Sequence, residues 1–382
     1  GRIICEERKP IFTIDEALAA NWRFEDGPRI YENGDAAASI ATAPRVIHGS
    51  IEMGGQEHFY LESQAALALP QENGDMVVHC SSQHPTEIQH KVAEALDAPM
   101  HAVRVEVRRM GGGFGGKESQ GNALACACAV AARATGHPCK MRYDRDDDMV
   151  ITGKRHDFRI DYRVGTDDAG RILGITFEQF CRCGWAQDLS LPVADRAMLH
   201  ADNAYFLPNA RITSHRLRTN TQSATAFRGF GGPQGMLGIE RVLDHIAHDL
   251  GRDPLEIRRL NYYPEAEADQ ATGNRTPYHM EVEDFCLGAL TERLAAQSDY
   301  AARKAAIAAW NTSNPVLKKG IALTPVKFGI SFTLTHLNQA GALVHVYSDG
   351  SIQLNHGGTE MGQGLFQKVA QVAAQAFGVT MD

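Results

Sequence analysis

Three observations on the sequence predict an α+β fold. Helical and strand periods interleave along the chain without a regular βαβ rhythm. The strand signal is carried by antiparallel hairpins. "FRIDYRVGTDDAGRILGITFEQF" alternates Phe158, Ile160, Tyr162 and Val164, turns at Asp168-Ala169-Gly170 and returns through Ile175 and Phe177. Finally, one hairpin–helix unit occurs twice, at "SQAALALPQENGDMVVHCSSQHPTEIQHKVAEAL" and at "NQAGALVHVYSDGSIQLNHGGTEMGQGLFQKVAQVAAQAF".

Within each copy the elements come in the same order. An alternating strand reaches a polar turn with glycine (Asn73-Gly74, Asp349-Gly350), and a second strand returns. A polar loop containing Gln83 or Gln363 follows, and then a helix carrying Lys-Val-Ala. The first copy continues into the alternating strand "HAVRVEVRRM", a glycine-rich loop and an Ala/Cys-rich helix over Asn122–Ala134. The second copy stops where that strand is due. Between the copies, "PQGMLGIERVLDHIAHDLG" opens on Pro233, keeps helical spacing and ends at Gly251.

Composition narrows the function classes. The 382 residues leave room for about two or three domains. A net charge of -8 argues against a nucleic-acid or anionic-membrane partner, either of which calls for a basic face. No stretch approaches the ~18 apolar residues of a membrane span, and "GRIICEERKP" has no apolar leader core. Cys126/Cys128 and Cys181/Cys183 are one residue apart, too close for a zinc or iron–sulfur knuckle. Reduced, mostly buried thiols in a cytoplasmic protein are expected. Both ends read as cut, so a piece of a larger chain is expected too.

The segment "RRMGGGFGGKES" places five glycines around Phe114 and ends on Lys117 and Glu118. It satisfies loose nucleotide-loop patterns, but a P-loop needs Ser or Thr after its lysine to hold magnesium. Glu118 stands there instead and would repel a triphosphate. The preceding strand alternates Val103, Val105 and Val107 with charged residues, unlike the doubly buried parallel strands of nucleotide folds. So much bare backbone suits close approach to a large polar ligand. "TAFRGFGGPQGM" (Thr225 to Met236) and "GGTEMGQG" (Gly357 to Gly364) are built alike, and the three loops are expected to converge on one extended ligand.

The segments "GQEHFYLES", "MGGGFGGKE", "TAFRGFGGPQGM", "KFGISF", "LNQAGALVHVYSDGS" and "GGTEMGQG" resemble the molybdenum-binding part of the xanthine dehydrogenase/aldehyde oxidase family, from about Arg45 to the C-terminus. The resemblance implies duplicated, elongated molybdopterin-binding domains. Residues 1–40 would end a preceding hammerhead-type domain, 41–283 form the first molybdopterin-binding domain, and 284–382 begin the second. It also implies a molybdenum–molybdopterin cofactor in this part, with two [2Fe–2S] clusters, FAD and NAD on partner segments or a partner subunit. The remaining C-terminal part of the molybdenum domain and a higher oligomer, a dimer of heterodimers, are expected partners.

By the same resemblance Gln83 would hydrogen-bond the apical oxygen on molybdenum. Phe114, Gly115 and Arg228 would line the metal and pterin through backbone groups, and Gly362 and Gln363 would hold the pterin. Gln83, Phe114 and Arg228 surround the metal without ligating it. Glu118 and Arg196 would offer a purine, xanthine or hypoxanthine, an acid and a cation. Phe230 and Phe332 would clamp its flat ring between them, with Thr333 at the edge. The implied reaction hydroxylates an electron-poor purine carbon towards urate, with Arg196 stabilising the charge that develops. The family's general-base glutamate, in a "GEPP"-type motif, has no match here and is expected in the remaining C-terminal part. Glu118 is left as substrate orienter and proton partner. An aldehyde- or N-heterocycle-oxidising enzyme of the same family is the alternative.

Overall fold

The computed structural model describes residues 3–264 and 274–381. The chain opens with α1 (Ile14–Ala19), β1 (Arg29–Asn33), α2 (Ala36–Thr42) and β2 (Arg45–Met53). The first copy of the repeat is β3 (Ala65–Pro70), β4 (Met76–Cys80), α3 (Pro85–Leu96) and β5 (Val103–Glu106). Next come α4 (Asn122–Thr135), β6 (Cys139–Arg142) and α5 (Arg145–Ile151). They are followed by β7 (Asp157–Thr166), β8 (Ile172–Gly184), α6 (Ser190–Met198) and β9 (Ala210–Arg218). Helices α7 (Gly232–Leu250), α8 (Pro254–Leu260), α9 (Leu287–Gln297) and α10 (Tyr300–Ser313) lead to the second copy. That copy is β10 (Ala342–Val346), β11 (Ile352–His356) and α11 (Leu365–Phe377).

Two larger sheets carry the core. The first has the order β1-β9-β8-β7-β2, antiparallel throughout except for the parallel pair β8/β9. The predicted hairpin is its centre, with Tyr162 opposite Phe177 and Val164 opposite Ile175. Helix α7 lays Ile239, Val242, Leu243 and Ile246 against this sheet, a spacing of three and four residues that keeps one face inward. Fully burying each such side chain stabilises the fold by about 1.5–3 kcal/mol. The helix stops at Gly251, whose φ of 63° and bonds back to Ala247 and His248 close its C-terminus.

The second sheet, β5-β4-β3-β6, packs against α3 and α4 through Ile88, Val92, Leu124 and Ala129. The hairpin β3/β4 turns at Asn73 and Gly74, both at positive φ. In the second copy β10 and β11 pair antiparallel in the same order, but as an isolated two-stranded ribbon followed by α11. None of the α11 side chains is buried.

One expectation is corrected. Strand β5 pairs parallel with β4 although one face carries charge. It is the edge strand of its sheet and four residues long, so it escapes burial on both faces. The first 42 residues contribute to the first sheet. β1 pairs with β9 from Arg29 to Asn33, and α2 packs on Gly165 and Gly174, where a Cβ would strike Ile40 and Ser39. Among the cysteines, all free, Cys128, Cys181 and Cys183 are buried, whereas Cys5 and Cys286 are exposed. No described helix is long and apolar enough to cross a membrane.

Candidate functional site

The first glycine loop hangs from two partly buried polar side chains, Glu62 and Gln83. Gly111 N–H donates to Glu62 at 2.8 Å, and Gln83 Oε1 accepts from Gly115 N–H at 2.8 Å and Lys117 N–H at 3.3 Å. A Cβ on Gly113 would lie 2.6 Å from that same Gln83 oxygen, so only glycine lets the side chain reach across. Lys117 itself is fully buried. It donates to Ser81 Oγ at 2.6 Å, pairs with Glu62 at 3.2 Å and sits over the Tyr60 ring. A lysine so placed does not face a ligand, which removes the nucleotide-loop reading on geometric grounds.

The second loop is joined to the first by main chain: Arg228 N–H donates to the Phe114 carbonyl at 2.8 Å. Arg155 donates to the Arg228 carbonyl at 2.8 Å, and its guanidinium lies 4.0 Å above the Phe227 ring. His58 stacks beside that ring at 4.5 Å. Thus Gly115 N–H and both backbone groups of Arg228 are spent within the protein, although both residues line the cavity between the loops. The partnerless amides among the described residues include Phe114 and Gly229.

In the third loop Glu360 accepts from the amides of Gly362, Gly364 and Phe366 at 2.9–3.1 Å. Gln363 accepts from Met361 N–H and donates to the Thr359 carbonyl, so its side chain is occupied locally rather than held out to a ligand. Met110 N–H donates to the Glu360 carbonyl at 2.8 Å and ties this loop to the first.

The three loops converge. They line a cavity of about 610 Å³ with Phe114, Gly115 and Glu118 from the first, Phe227–Phe230 from the second and Met361–Gln363 from the third. Gln83 completes the wall, and its Nε2, unlike its Oε1, has no partner among the described residues. A smaller cavity of about 280 Å³ shares Gln83, Glu118 and Met361 with the first and adds Phe332 and His84.

The residues expected at the substrate behave less uniformly. Glu118 is partly buried, and its carboxyl is pushed up to about 7, first by loss of water and then by the Asp188 and Glu87 carboxylates. Arg196, in the last turn of α6, is only 5% exposed and has no carboxylate within ion-pair distance among the described residues. Burial holds its guanidinium below the ordinary arginine range. It donates from Nη1 to the Gly329 carbonyl at 2.6 Å and lies 5.9 Å from the Phe230 ring and 5.2 Å from Phe328. It therefore stands behind the aromatic wall rather than in either cavity lining, with a buried, partnerless Nε.

Phe230 and Phe332 lie 4.9 Å apart at 46°. A planar ring needs about 3.5 Å on each face, so as they stand the two rings leave no slot between them and form one aromatic wall. Thr333 donates to the Pro192 carbonyl at 2.7 Å and pins its segment to α6. Three residues were missed by sequence reasoning. Gly329 and Phe328 sit in the quoted "KFGISF" but carry no chemical signature. His84 follows Gln83 directly, and its spacing to Glu87 was the signal available.

Comparison with known proteins adds the family. A family profile described as "Molybdopterin cofactor-binding domain" matches residues 23–262, and a second of the same description matches 293–382. This chain belongs to that family. Its relatives include the xanthine dehydrogenase of Drosophila subobscura, 44% identical over 99% of this chain and 28% of that protein. The xanthine dehydrogenase/oxidase of Felis catus is 44% identical over 98% and 28%. The nicotinate hydroxylase of Emericella nidulans is 42% identical over 99% and 28%. The chain thus spans little more than a quarter of these relatives. Two solved structures share its fold. CO dehydrogenase from Oligotropha carboxidovorans has a TM-score of 0.80 at 20% identity, over 97% of this chain and 50% of that one. Quinoline 2-oxidoreductase from Pseudomonas putida has a TM-score of 0.77 at 20% identity, over 97% and 48%.

The residues present fit a molybdopterin cofactor. The cavity is walled by glycine backbone at three sides, the Gln83 amide is oriented with its donor end unspent, and the Phe114 and Gly229 amides have no partner among the described residues. Such a wall favours a large ligand rich in hydrogen-bond acceptors.

Proposed function

We propose that this chain forms the molybdopterin wall and part of the substrate pocket of a molybdenum hydroxylase that oxidises hypoxanthine and xanthine to urate. The observation that carries the purine reading is Arg196, a buried cation without a counter-ion beside the Phe230 ring. A buried guanidinium with no counter-ion is costly and favours a ligand that develops negative charge next to it. Glu118 supplies the complementary group. A carboxyl poised near 7 presents a proton donor in one state and an acceptor in the other, which suits the mixed edge of a purine.

The bound cofactor supplies the transferred oxygen and takes up two electrons. Gln83, through Nε2, would donate to an oxygen of the metal centre. The Phe114 and Gly229 amides would hold the pterin, with Gly115, Arg228, Gly362 and Gln363 lining the cavity around it. Phe230 and Phe332 would present an aromatic wall to one side of the substrate ring. We take residues from 284 onward as the start of a second molybdopterin-binding domain. The [2Fe–2S] clusters, FAD and NAD belong to other segments or subunits of a cytoplasmic dimer of heterodimers.

Metal and pterin analysis of the intact enzyme, with xanthine turnover followed as urate and NADH, tests this reading. One molybdenum per chain with urate formation supports it, and an enzyme without molybdenum overturns it. A second reading is an N-heterocycle or aldehyde oxidoreductase. The 42% identical nicotinate hydroxylase favours it, because Arg196 would also suit a ring carboxylate. A panel of xanthine, nicotinate and an aromatic aldehyde separates the two.

A further inference from the structure

We propose that His84 contacts the substrate, donating from Nε2 to a ring nitrogen or carbonyl of the heterocycle that enters the smaller cavity. The proposal rests on the purine reading above and goes beyond it by adding a specificity-determining donor.

The geometry leaves one end of this imidazole for a ligand. His84 lines the same cavity as Glu118 and Phe332. Its Nδ1 is engaged by Glu87 Oε2 at 2.9 Å, and Glu87 Oε1 accepts in turn from Asn122 Nδ2 at 2.7 Å. Asn122 begins α4, directly after the first glycine loop, so the orienting chain is anchored at both ends. Nε2 has no partner among the described residues. The backbone is equally fixed: His84 N–H donates to Ser82 Oγ at 3.0 Å, and the preceding Gln83 N–H donates to the Lys117 carbonyl at 2.8 Å. His84 therefore sits at a set distance from the residue that faces the metal centre.

The charges around it favour a donor. Glu87 on its own helix and Glu118 from the glycine loop hold the imidazole above its ordinary range, Glu87 first. Asp188, before α6, adds a third carboxylate against Glu118. A protonated imidazole donates from both nitrogens, one to Glu87 and one into the cavity. A bond made equally to bound substrate and transition state lowers KM and leaves kcat alone. Substrates with an acceptor on that edge gain from it, and those without one do not.

The test is kinetics of the intact enzyme carrying His84→Leu or His84→Gln, with molybdenum content measured beside the rates. Wild type oxidising xanthine is the reference. His84→Leu should lower the ratio of kcat/KM for xanthine to that for benzaldehyde by about 10-fold or more, the scale of a hydrogen bond to a charged group. The loss should appear in KM. His84→Gln keeps a donor and should recover most of the ratio, while removing the rise in xanthine KM expected of wild type as pH climbs through the imidazole's range. If His84→Leu lowers both substrates alike, or lowers neither, His84 is only a structural partner of Glu87 and the proposal fails. If molybdenum-replete wild type oxidises no purine, the purine reading fails first, and this role with it.

Discussion

Arg228 N–H donates to the Phe114 carbonyl at 2.8 Å, so the first two glycine loops are sewn together by main chain alone. Gly115 is what lets them approach. Its φ is 96°, and a Cβ there would lie 2.8 Å from the Ala226 carbonyl group.

Gly115→Ala should therefore separate the loops and lower molybdenum content several-fold. Gly27 has almost the same φ, 97°, with nothing within 4 Å of a Cβ. Gly27→Ala carries the backbone strain, about 1–3 kcal/mol, without the collision, and should retain full metal. Metal analysis of both variants separates loop closure from strain. Equal loss in the two would refute the role of the stitch.

Arg196→Met should cut xanthine turnover by about 10²-fold or more, the scale of losing one preorganised donor, at unchanged molybdenum content. Because the guanidinium is buried without a counter-ion, removing its charge should leave the melting temperature unchanged or raised. A fall in Tm with xanthine turnover preserved would make Arg196 a purely structural arginine.

Glu118 gives a pH dependence whose sign follows from its raised carboxyl. The folded state holds the proton up to about 7, whereas the unfolded chain releases it near 4.5. The folded form thus binds more protons in that window, and stability falls as pH rises from about 4.5 through 7. Glu118→Gln removes the titration. Its stability relative to wild type should rise between pH 5 and pH 8, by on the order of 2 kcal/mol, read from denaturant midpoints at the two pH values. A constant difference would show that Glu118 ionises normally.

Lys117→Met should destabilise by about 2–3 kcal/mol. It keeps the buried stem but removes the ammonium from Glu62 and Ser81, leaving Glu62 only its neutral donors Gly111 N–H and Ser81 Oγ. Neither wild type nor variant should bind magnesium-ATP in calorimetry, because the ammonium faces the protein interior. Millimolar or tighter ATP binding that disappears in the variant would restore the nucleotide-loop reading.

The elements were legible in the sequence wherever local pattern decides them. The hairpin around Gly170, helix α7 from Pro233 to Gly251 and both copies of the repeat depend on periodicity and turn residues alone. The glycine loops could be read as one ligand wall because glycine in that density has few other uses. What pattern could not reveal was direction. Whether an amide faces the cavity or a neighbouring carbonyl is settled by loop-to-loop contact, as Arg228 and Gly115 illustrate. The same limit applies to Thr333, whose hydroxyl is equally able to meet a ligand or a helix carbonyl, and finds Pro192. It applies also to β1, whose partner β9 lies about 180 residues further along the chain.

Gly329 is held through both of its backbone groups by Arg196, in the last turn of α6, and His200, just after it. Its carbonyl accepts from Arg196 Nη1, and its N–H donates to His200 Nε2 at 3.1 Å, while His200 Nδ1 meets the Arg196 carbonyl at 2.9 Å. A donor N–H at Nε2 and an acceptor carbonyl at Nδ1 assign the imidazole proton to Nδ1. Burial keeps the ring neutral by lowering its pKa to about 4, so this ring of bonds keeps its polarity throughout the neutral range. The two groups lie in the peptide planes that flank Gly329, so displacing this one residue would break the arginine bond and the histidine bond together. The aim of the buried cation and the seating of the strap that carries Phe332 thus form one latch. Any ligand that draws Arg196 forward must loosen the strap by the same motion.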